Sequence, residues 1–90
     1  MVLLISYDLN GHERPSAYAA VKEMIEQNST SSVKPLYSQW FVETDESPAV
    51  WHKRMKDVAD DNDRWFIDKV TGDYIGMLST EAVNWLKERV

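Results

Sequence analysis

Asp8 closes the apolar run Val2-Leu3-Leu4-Ile5-Ser6-Tyr7, which puts a carboxylate at the rim of whatever core that run helps to build. Such an acid is either a turn former or a site residue, and Asn10-Gly11 just behind it is turn composition. His12 carries an imidazole that could serve as a general base near neutral pH, and Arg14 a guanidinium that could position a phosphate. Each is more simply read as a solvated polar residue, His12 in a loop and Arg14 ahead of a helix. His52, Lys53, Arg54 and Lys56 form the one basic cluster of the sequence, either a contact for a phosphate backbone or the wet face of a helix. The acids Asp57, Asp60, Asp61 and Asp63 do not make a calcium loop, because the glycine and the distal bidentate glutamate of an EF-hand are missing. There is no cysteine, Gly-x-Ser-x-Gly elbow, Walker-type loop or His-Glu-x-x-His pair, and three glycines leave no glycine-rich phosphate cradle. Metal-assisted hydrolysis is the enzymatic class that survives.

The chain that must position these residues has 90 amino acids, which suits one domain with a modest core. Apolar residues make up 43%, and tryptophans stand at positions 40, 51, 65 and 85, enough large side chains to offset the ordering entropy of folding. Without cysteine, neither a disulfide framework nor a thiolate metal site can staple so small a core, and dimerisation is one remaining way to bury more area. The longest N-terminal apolar stretch is too short and lacks a basic flank for a leader, and no segment is apolar enough for a membrane span. A cytoplasmic location is expected. Fifteen acidic against ten basic residues give a net charge of −5, whereas nucleic-acid binders usually carry a basic footprint. Any nucleic-acid contact must rest on a local patch or on metal ions.

Read along the chain, Met1 to Asp8 predicts a central strand, since its apolar residues run together without a polar break. Pro15 then starts a helix over about Ser16 to Gln27, whose Ala17, Val21, Met24 and Ile25 form one apolar stripe. The stretch Val33 to Thr44 is strand-like, with Pro35 marking an edge or a bend. Ser47-Pro48 opens a second helix with Trp51, Met55, Val58 and Ala59 on its buried side, and Asp60-Asp61-Asn62-Asp63 ends it. Arg64 to Val70 reads as a strand, Thr71-Gly72-Asp73 as a turn, and Tyr74 to Leu78 as a short further strand. Ser79 caps a last helix carrying Ala82, Val83, Leu86 and Val90. Residues 1–90 are therefore expected to form a single α+β domain, a ferredoxin-like βαββαβ sandwich with an added short C-terminal strand and helix. The tryptophans read as core and interface anchors rather than base-stacking platforms.

Four segments in order, Leu4-Ile5-Ser6-Tyr7-Asp8-Leu9, Ser38-Gln39-Trp40-Phe41-Val42, Asp61-Asn62-Asp63-Arg64-Trp65-Phe66-Ile67 and Gly72-Asp73-Tyr74-Ile75-Gly76, resemble the SinR-like branch of the CRISPR-associated protein 2 superfamily. The resemblance implies a ferredoxin-like homodimer with Asp8 near the two-fold, so that the paired carboxylates share one Mg²⁺. Two such carboxylates disfavour joint ionisation unless a cation neutralises them, and the metal could then activate water against a phosphodiester. It thus implies a possible metal-dependent endonuclease on RNA or DNA, serving antiviral defence, with Asp8 as metal ligand and catalytic residue; read from their charge alone, Arg14, Lys53, Arg54 and Lys56 are the nucleic-acid contacts such an enzyme would have to use. Nuclease-type members carry basic residues soon after the aspartate, where this chain has Leu9-Asn10-Gly11-His12-Glu13-Arg14. That departure and the acidic charge open the alternative, a non-catalytic dimeric adaptor or regulator of a protein partner.

Overall fold

The computed structural model describes residues 1–9 and 15–90; the turn expected at Asn10-Gly11 and the side chains of His12 and Arg14 lie outside the described residues. The elements run β1 (Val2–Asp8), α1 (Pro15–Asn28), β2 (Ser31–Leu36), β3 (Gln39–Glu43), α2 (Pro48–Val58), β4 (Arg64–Lys69) and α3 (Thr80–Lys87). The fold is α+β, with one four-stranded sheet in the order β2-β3-β1-β4, every neighbouring pair antiparallel.

β1 is central because both its faces are apolar, and strand alternation divides them. Leu3, Ile5 and Tyr7 join Trp40 and Val42 of β3 in the larger core, with Val21, Met24 and Ile25 of α1 and Trp51 and Met55 of α2. Val2 faces the other way and packs with Phe41 and Leu86 of α3, while Leu4, Val33 and Trp85 lie against them. Helices α1 and α2 therefore cover one face of the sheet, and α3 covers part of the other. Pro35 sits in β2, an edge strand, close to a break in its register against β3 between Val33 and Leu36, as the missing N–H requires.

The helix boundaries have local causes. Pro48 stands in the first turn of α2, where its absent N–H costs nothing; Ser47 holds the cap position, but its side chain makes no cap hydrogen bond. Asp63 accepts from the Asp60 amide at 2.8 Å and returns its own amide to the Asp60 carbonyl, so the acidic run closes a tight turn between α2 and β4. Ser79 caps α3 by accepting from the Ala82 amide.

The expected strand at Tyr74 to Leu78 is not present. This segment is irregular, and no backbone hydrogen bond ties it to a strand among the described residues. The physical reason is directional. The segment passes over the face of the sheet that carries Leu4 and Phe41, and sheet hydrogen bonds point sideways from a strand edge rather than up from its face.

Candidate functional site

Asp8 ends β1, exposed and directly across from Arg64, the first residue of β4. Strand alternation puts both on the α3 side of the sheet, at the end that α3 leaves bare. They border a shallow depression of about 280 Å³ that also touches Ser6, Tyr7, Trp65 and Phe66. On the reverse face Tyr7 is buried, and its hydroxyl accepts a 3.0 Å hydrogen bond from Trp40 Nε1. Burial pushes the Tyr7 phenol above its ordinary range, against the opposing pull of that bond.

The basic candidates lie elsewhere. Lys53 and Lys56 are exposed on α2, on the far side of the sheet from Asp8. Arg54 is held by Glu46 through two short bonds of 2.6 and 2.8 Å, and its guanidinium lies 4.8 Å from the centre of the Trp51 ring. The Arg54 hydrogen bonds hold the Glu46 carboxyl below the usual carboxylate range. A guanidinium so engaged would have to give up Glu46 before it could grip a phosphate. Asp8 and the Lys53, Arg54 and Lys56 cluster thus do not converge on one surface.

Among the described residues no group of three or more His, Asp or Glu gathers at metal-binding distance. One chain offers a single Asp8 carboxylate with a guanidinium across from it in register, which does not fit a divalent ion that wants several oxygen ligands.

Two features escaped the sequence. Arg64 faces Asp8 only because β1 and β4 pair in one register, which fifty-odd intervening residues conceal. The second is an open groove of about 470 Å³ between the sheet, the 70–78 segment and α3, lined by Leu4, Phe41, Tyr74, Ile75, Met77 and Leu86 among others. Its signal was available in Tyr74-Ile75-Gly76-Met77-Leu78, an apolar run too short to fold on itself. Ile75 is 101% and Met77 95% exposed, and Phe66 on β4 is 67% exposed. Compared with known proteins, the chain matches no family model and no curated sequence.

Proposed function

We propose that the chain acts as a homodimeric interaction module, a ferredoxin-like domain of the kind found in the SinR-like branch of the CRISPR-associated protein 2 superfamily. The ferredoxin-like reading is supported by the order β4-β1-β3-β2 with every neighbour antiparallel, and by α1 and α2 sharing one face. The dimer reading is carried by one observation, the uncovered apolar surface of Phe66, Ile75 and Met77. A monomeric surface rarely spends large side chains in this way without a partner.

A second copy is the occupant that best suits this surface. Among the described residues the outer edge of β4 has no neighbouring strand, and the irregular residues 74–78 have no strand partner of their own. The segment of one copy can pair with the open edge of the other, and the same contact recurs by two-fold symmetry. Light scattering at micromolar concentration is expected to give twice the 10.5 kDa of one chain. The variant carrying Ile75→Asp and Met77→Asp is expected to give one chain mass with an unchanged circular dichroism spectrum. A wild type that is monomeric under these conditions would sink the proposal.

A second reading is a metal-dependent endonuclease at paired Asp8, favoured by the position of Asp8 on the same sheet face as the apolar surface, where a dimer through that face draws two carboxylates together. It predicts that Mg²⁺ or Mn²⁺ raises the melting temperature and that Asp8→Asn abolishes the gain, since a ligand bound only to the native state stabilises it. Labelled RNA and DNA, cut by the wild type with metal and left intact by Asp8→Asn, would establish the activity. Equal cutting by both proteins would remove it.

A further inference from the structure

Trp65 Nε1 donates a 3.0 Å hydrogen bond to His52 Nδ1, and the two rings lie 5.7 Å apart at a tilt of 44°. This bond joins α2 to β4 across positions thirteen residues apart in sequence. An indole nitrogen only donates, so the imidazole nitrogen that receives it must carry no proton. His52 is therefore neutral when the bond exists, with its proton on Nε2. If His52 takes a second proton, Nδ1 becomes a donor facing a donor, and the bond cannot survive. Histidine is the side chain that ordinarily makes this change near physiological pH, and His52 is exposed, so protons reach it from solvent.

We propose that the His52–Trp65 hydrogen bond is a proton-operated latch that fastens the start of the edge strand β4 to helix α2 and lets go when His52 is protonated. β4 is the strand to move. Among the described residues it has a neighbouring strand on one side only, Trp65 is half-buried rather than locked in the core, and the remaining side chains of that end, Arg64 and Phe66, are exposed. Trp65 pairs with Tyr7, and Arg64 with Asp8, so release of the indole reaches the strand end beside Asp8. The charged and titratable groups on the elements packed about the latch are Lys53, Arg54, Lys56 and Asp57 on α2, Arg64, Asp68 and Lys69 on β4, Asp60, Asp61 and Asp63 in the turn between them, and Tyr18, Lys22, Glu23 and Glu26 on α1, which packs against α2. The bond that the proton breaks is the one His52 accepts from the Trp65 indole. The latch stands on a contact within one chain, independent of the dimer.

The test is a pH titration of the full-length protein followed by nuclear magnetic resonance of its four indole N–H groups. Hydrogen bonding shifts such a proton downfield, so the Trp65 resonance is expected to move upfield as pH falls, with the same midpoint as the His52 imidazole resonances. The amide resonances of Tyr7 and Arg64 should follow it. His52→Asn keeps an acceptor oxygen close to the Nδ1 position but cannot be protonated there, and is expected to hold the Trp65 resonance at its bonded position through the same pH range. His52→Phe removes the acceptor and should fix it at the unbonded position. An indole resonance that ignores the His52 titration, or one that moves equally in His52→Asn, would overturn the latch.

Discussion

Single hydrogen bonds decide much in a core this small, and the Tyr7–Trp40 pair is the clearest case. Trp40 Nε1 has the Tyr7 hydroxyl as its buried acceptor at 3.0 Å. Tyr7→Phe keeps the ring and orphans the indole N–H, and is expected to cost about 1–3 kcal/mol in urea unfolding. Because burial raises the Tyr7 phenol pKa, its contribution is complete below the ordinary tyrosine range and fades as pH climbs through that range toward the folded value. The alkaline limb of a stability profile should therefore be steeper in the wild type than in Tyr7→Phe. Glu46 works with the opposite sign. Its carboxyl pKa is lowered first by the hydrogen bonds from Arg54, so the contribution is present above the ordinary carboxylate range and is lost as pH falls through the folded value. Glu46→Gln is expected to flatten the acid limb of the melting curve, measured between about pH 6 and pH 3.

At the scale of elements, α3 is the piece most separable from the rest. It has eight residues, too few to hold a helix alone, and it depends on its Ser79 cap and on Leu86, 2% exposed against Val2 and Phe41. Arg89, just past its end, ties it to β3 through Glu43 at 2.9 Å and lies 4.2 Å over the Trp85 ring. The larger core, on the other face, contains no residue of α3. Leu86→Ala should cost about 2–5 kcal/mol if α3 unfolds with the whole chain, as a core truncation does. The separate cores predict a different outcome for Leu86→Asp. Hydrogen exchange is expected to quicken across residues 80–87 while the amides of β1 stay protected, the mark of a local opening rather than a global one. Uniform loss of protection would show that the two cores melt as one.

At the scale of the whole molecule, each copy carries a net charge of −5, so two copies repel as they approach. Salt screens that repulsion, and the dimer dissociation constant is expected to fall as ionic strength rises from about 0.01 to 0.15 M. A dimer that loosens with salt would mean that attractive ion pairs, not apolar contacts, hold it. The sequence by itself determined the three helices and their starts near Pro15, Pro48 and Ser79, the strands at Val2–Asp8 and Arg64–Lys69 and the central place of β1, because these follow from periodicity and local backbone chemistry, which near neighbours settle; for Pro35 it left an edge or a bend open. It also marked Asp8 as a rim acid. Only the tertiary structure decided that Arg64 stands opposite Asp8, that Lys53 and Lys56 lie across the sheet from it, and that His52 meets Trp65. It also turned Tyr74 to Leu78 from a strand into a bare apolar segment, since that stretch has extended propensity but finds no free edge beside it. Strand register and edge availability are properties of residues far apart in the chain, and no local pattern encodes them.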